Sequence, residues 1–77
     1  MEKLSRIGID TSKQIFQLHG VDDFERVVLR RKLRRKEILG FFGALAPTLV
    51  GLEASGGAHY WARELTRLGH TVRLIAP

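Results

Sequence analysis

The sequence predicts an α/β chain with a five-stranded mixed sheet and both helices on one face, and three observations predict it. Three short segments rich in β-branched and aromatic residues follow one another with only short turns between them, between Arg6 and Leu29, as in an antiparallel meander. Two later segments carry apolar residues at helical spacing. Between those helices lies Thr48 to Glu53, an almost unbroken apolar run, the pattern of a parallel strand covered on both faces.

The first strand centres on Ile7-Gly8-Ile9-Asp10. Alternation sends Ile7 and Ile9 to one face and Gly8 and Asp10 to the other. Asp10 is either a turn-forming residue ahead of Thr11-Ser12-Lys13-Gln14 or an acid held at the end of the strand for a purpose. The second strand is Ile15 to Val21, and Val21-Asp22-Asp23 supplies the next turn. Phe24 to Leu29 then alternates as a third strand near a sheet edge.

Arg30 to Lys36 follows, with six basic residues in seven: Arg30, Arg31, Lys32, Arg34, Arg35 and Lys36. The run is expected as a connection leading into a helix that carries Ile38, Leu39, Phe41, Phe42 and Leu45 on one stripe. Cations at a helix N-terminus oppose its macrodipole, so a run this dense points to an anionic partner, with a solvated connection as the plain alternative. Ala46-Pro47 ends the helix, since the residue before proline is pushed out of the α region. The fourth strand ends on a second acid, Glu53. Ala54-Ser55-Gly56-Gly57 turns into a second helix whose stripe is Trp61, Ala62, Leu65 and Leu68, with Gly69 as its stop. Trp61 reads as core, and Gly56-Gly57 as a turn more than a phosphate site. Thr71 to Ala76 is the last strand.

With the first and fourth strands parallel neighbours and right-handed crossovers, the spatial order is 3-2-1-4-5. Asp10 and Glu53 then meet at the C-terminal end of the sheet, where open α/β sheets bind their ligands. Two acids without a histidine cluster suit a hard cation taking oxygen ligands, Mg2+ or Mn2+. Nothing covers the second face of the sheet, so the chain reads as an incomplete domain, residues 1–77 being the N-terminal part of a longer protein, and self-association into a homo-oligomer is expected.

Composition bounds the rest. At 77 residues, 44% hydrophobic and 27% charged, the chain is an ordinary small globular domain. A formal charge of +5 favours nucleic acid as partner. Without cysteine, disulfides and thiolate metal sites are excluded. No apolar run reaches the length of a membrane span and no signal-peptide pattern opens the chain, so a cytoplasmic protein is expected.

Ile7-Gly8-Ile9-Asp10-Thr11-Ser12-Lys13, Val50-Gly51-Leu52-Glu53-Ala54-Ser55-Gly56-Gly57-Ala58-His59-Tyr60-Trp61 and Leu68-Gly69-His70-Thr71-Val72-Arg73-Leu74-Ile75-Ala76-Pro77 together resemble the N-terminal domain of the insertion-sequence-110 (DEDD) family of transposases. The resemblance implies an RNase H-like fold of the RuvC type and metal-assisted chemistry on DNA phosphodiesters. It makes Asp10 the first and Glu53 the second of four acidic metal ligands, the other two lying downstream together with a serine nucleophile. It implies DNA and a guide RNA as partners, and no activity for these residues alone. Lys13 is a further phosphate candidate, with a solvated turn lysine as the alternative. Two other readings stay open: a non-catalytic basic nucleic-acid-binding module, and an actin-like or sugar-kinase ATPase. The second lacks the phosphate-cradling glycine expected after Asp10.

Overall fold

A computed structural model describes residues 4–11 and 14–76. Its strands are β1 (Arg6–Thr11), β2 (Ile15–Val21), β3 (Val27–Arg34), β4 (Leu49–Glu53) and β5 (Thr71–Ile75), and its helices are α1 (Ile38–Gly43) and α2 (Ala58–Arg67), with a single 3-10 turn at Arg35–Glu37. The five strands form one sheet in the order β3-β2-β1-β4-β5. β1 pairs antiparallel with β2 and parallel with β4; β2 and β3 are antiparallel and β4 and β5 parallel. This is the expected α/β architecture and strand order.

Alternation determines which side is buried. Ile7 and Ile9 of β1, Phe16 and Leu18 of β2, Leu33 of β3, and Val50 and Leu52 of β4 share one core with Ile38 and Phe42 of α1 and Ala58, Trp61 and Leu65 of α2. Both helices therefore lie on the same face. The rings of Phe16 and Trp61 meet edge to face at 5.2 Å between centroids, which joins the sheet to α2. α2 ends in a Schellman motif: Gly69 is left-handed with φ 102°, its N–H bonds to the Thr66 carbonyl, and the His70 N–H reaches the Leu65 carbonyl. The sequence reading of Gly69 as the stop is thereby explained.

β3 departs from expectation. It runs from Val27 to Arg34, so Phe24 and Glu25 belong to the turn, and Arg30 to Arg34 lie in a strand instead of a connection. The cause is Asp22. One of its carboxylate oxygens accepts the backbone N–H groups of Phe24 at 2.8 Å and Arg26 at 3.0 Å, and the other accepts Arg26 Nε at 3.0 Å. Glu25 completes the loop in the left-handed region at φ 63°, with its carboxylate on Arg6 at 2.8 Å. The turn is thus longer than expected, and pairing starts later and runs on to Arg34 opposite Ile15. As an edge strand, β3 can carry this much charge, and charge is one means by which edges resist pairing with other chains.

The bond from the Arg26 N–H is the main influence holding the Asp22 carboxyl below the ordinary carboxylate range; burial opposes it, while the Phe24 N–H and the Arg26 guanidinium reinforce it. A depressed folded-state pKa contributes stability that is present above the unfolded value and is lost as pH falls through the folded one. Wild type is therefore expected to exceed Asp22→Ala in stability at neutral pH, with the gap narrowing below about pH 4. Urea unfolding of both proteins at pH 7 and pH 3 checks this, and a gap that does not change with pH would contradict it.

Candidate functional site

β1 and β4 run side by side, with Gly8 opposite Gly51 and Ile9 opposite Leu52. One step further along both strands stand Asp10 and Glu53, on the face away from the helices, since Ile9 and Leu52 are buried between them and the core. Neighbouring strands lie about 4.8 Å apart, so the two carboxylates leave adjacent backbone positions in the same direction. They line one shallow depression of about 260 Å³ together with Gly8, Gly51, His19 and Ile75. At Gly51 the Ile75 side chain lies over the backbone, 3.0 Å from where a Cβ would stand, whereas a Cβ at Gly8 would meet only the His19 carbonyl oxygen, at 3.9 Å.

Both acids are exposed. Among the described residues neither carboxylate is engaged in an ion pair, and the two like charges line the same depression. Oxygen ligands on adjacent strands fit part of the shell of a hard cation. They are too few for a complete site, and no three His, Asp or Glu side chains are grouped to hold a metal among the described residues.

The basic run divides by strand geometry. Arg30, Lys32 and Arg34 pair with His19, Gln17 and Ile15 and share the open face with the acids. Lys32 lies in the row of Asp10 and Gln17, two strands and about 10 Å from Asp10. Arg6 and Arg73 stand on the same face, at the rim of a second hollow lined also by Gly8, Leu49 and Ile75. Arg31 points the other way, its guanidinium 5.5 Å from the Phe41 ring centroid. Arg35 and Lys36 belong to the 3-10 turn. The six cations are thus not one patch: three face the acids, and three belong to the helix side and its corner. Lys13 lies outside the described residues.

His70 is the residue whose part the sequence concealed. Only 3% exposed, it accepts the Thr48 N–H at Nδ1, 3.0 Å away, and its Nε2–H donates to the Phe42 carbonyl at 2.8 Å. A neutral imidazole with its proton on Nε2 satisfies both bonds. The side chain thereby joins the end of α1, the entry to β4 and the entry to β5. A lone histidine in the sequence carries no signal of this, because both partners are backbone groups.

Comparison with known proteins adds a relationship. A Pseudomonas aeruginosa protein named "Probable family 20 transposase" is 65% identical over 74 residues, 96% of this chain and 22% of that protein. The transposase for insertion sequence element IS1328 of Yersinia enterocolitica is 35% identical over 77 residues, 100% of this chain and 23% of its own length. That for IS1111A of Coxiella burnetii is 32% identical over 77 residues, 100% of this chain and 21% of its own. No protein-family profile matches the chain. No solved structure matches it either. The chain spans about a fifth of the length of the curated relatives it matches. By sequence the chain is thus similar over nearly all its length to a segment of several insertion-sequence transposases.

Proposed function

We propose that this chain is the part of a DNA transposase catalytic domain that contributes the first two acidic ligands, Asp10 and Glu53, to a Mg2+- or Mn2+-dependent site for phosphodiester chemistry. The observation that carries the reading is the placement of two exposed acids at the ends of adjacent parallel strands, on one face and in one depression. The transposase relatives support DNA as the substrate. The RNase H-like assignment is part of the proposal, and it rests on the sequence resemblance together with the strand order.

When bound, the metal would polarise a phosphate and stabilise the leaving oxygen. The chain's own residues hold and orient. β1 and β4 fix the two carboxylates in register. The bare backbone at Gly8 leaves room for a phosphodiester to approach closely. Arg30, Lys32 and Arg34 attract the nucleic-acid backbone from the edge of the same face. The remaining ligands come from outside these residues, so the chain alone is expected to cleave nothing.

A Mn2+ titration followed by NMR line broadening tests the pair. Broadening centred on Asp10 and Glu53, and lost in Asp10→Ala and in Glu53→Ala, is the expected result. Broadening indifferent to both substitutions would remove the metal from this face and favour a non-catalytic nucleic-acid-binding module. No helix of the described residues is long and apolar enough to cross a membrane.

A further inference from the structure

The helix side of the chain holds a second feature that the acidic site does not use. Between the 3-10 turn and α2 lies a cavity of about 440 Å³ lined by Arg35, Lys36, Leu39, Tyr60 and Trp61. Arg35 also lines two adjoining hollows. One continues along Arg34 and Lys36 to Gln14. The other leads past Phe16 to Thr11 and Gly56, at the end of the sheet where Asp10 and Glu53 stand. The three hollows thus share Arg35, and the smallest of them, about 40 Å³, borders the end of the sheet that carries the two acids.

The groove between the 3-10 turn and α2 is basic and aromatic. Arg35 and Lys36 are exposed, and neither forms an ion pair among the described residues. The nearest acid in sequence, Glu37, is occupied by the Arg34 backbone N–H at 2.7 Å. Arg35 is held in place from beneath, its guanidinium 5.3 Å from the centroid of the Trp61 ring, and its backbone N–H donates to the Gln14 carbonyl at 3.1 Å. Trp61 is buried at 5% exposure, whereas Tyr60 is 42% exposed and stands edge to face on Trp61 at 5.0 Å. Fixed cations beside an exposed ring that is braced by a buried one form the combination that binds unpaired nucleotides: cations take the phosphates and the ring takes a base face. A duplex hides those base faces in its stack and leaves such a ring without a partner.

We infer that the groove of Arg35, Lys36 and Tyr60 binds single-stranded DNA, with a base stacked on Tyr60 and its flanking phosphates on the two cations. The commitment to DNA rests on the transposase reading; the single-strand preference rests on the groove alone. The groove lies on the helix side of the sheet and the two acids on its other face, so a strand seated there would be held by the same domain without occupying the acidic site.

The test is fluorescence polarisation of a labelled 12-nucleotide dT strand, with EDTA present so that the acidic site has no part in it. The expected result is tighter binding of the single strand than of a duplex of equal length, and a loss of roughly 5- to 100-fold for Tyr60→Ala but little for Tyr60→Phe. Arg35→Gln is expected to lower the salt dependence by about one phosphate contact. Trp61, the only tryptophan, reports directly: its emission should change on binding. Equal loss of single strand and duplex in Tyr60→Ala, or none in either, would overturn the proposal. So would a several-fold preference for the corresponding ribo-oligonucleotide, or equal competition by a poly-glutamate peptide. Asp10→Ala is expected to leave this binding unchanged, so failure of the groove and failure of the acidic site are read separately.

Discussion

On the reading proposed above, replacing Asp10 by Asn is expected to abolish DNA strand cleavage by the full-length protein while leaving the folded chain as stable as before, or more so. Stability and activity part here because Asp10 does nothing for the fold that the structure displays. Asp is depleted in strands, this one is exposed, and one position beyond the paired Ile9 and Leu52 stands Glu53, a like charge in the same depression. Like charges on neighbouring strands of one sheet face repel each other. Asn removes the repulsion and keeps the shape. It also removes the carboxylate proposed as a metal ligand, and since even an outer-shell partner of a metal ligand is worth 10- to 100-fold, cleavage is expected to fall by more than about 100-fold. Cleavage of donor DNA by the complete protein, together with thermal melting of this chain, checks both halves. Activity within a few-fold of wild type would remove Asp10 from the chemistry, and a marked loss of stability would give the acid a structural role instead.

The pair of acids was legible in the sequence because two simple rules converge on it. Alternation puts Asp10 opposite in direction to Ile9, and a parallel neighbour of the same character ends on Glu53. Once β1 and β4 are adjacent, no side-chain detail is needed to bring the acids together. The third strand was illegible for a local reason. Phe24 and Glu25 have the look of strand residues, yet the Asp22 carboxylate captures the Phe24 and Arg26 N–H groups and turns both residues into a loop. Charge then misled a second time. Six cations in seven residues suggest a connection leading into a helix, but an edge strand with only Leu33 buried accommodates four of them. Which of them face the acids follows from pairing with β2, and that could not be read before the strand was placed. His70 lay beyond sequence reasoning altogether, since its partners are backbone groups 22 and 28 residues away.

Truncating Phe42 to Ala is expected to cost roughly 3–5 kcal/mol of folding stability, the largest single effect on the fold among these predictions. Phe42 is fully buried. Its ring meets Phe41 edge to face at 5.2 Å and the His70 imidazole at 5.4 Å, while its own carbonyl accepts the His70 Nε2–H. A cavity there would remove the ring against which His70 packs and loosen the histidine that joins α1 to β4 and β5. A domain of this size has only about 4–12 kcal/mol to lose, and each kcal/mol moves its melting temperature by about 4–8 °C. Thermal melts followed by far-UV circular dichroism should therefore show Phe42→Ala lower by more than about 12 °C, or unfolded. Phe24→Ala, at a ring that is 77% exposed, should fall within about 0.5 kcal/mol of wild type. Phe42→Leu, which refills part of the volume, should lie between the two. A Phe42→Ala protein that melts within a few degrees of wild type would mean that α1 and its histidine tie are dispensable, and that the fold is held at the Phe16–Trp61 contact instead.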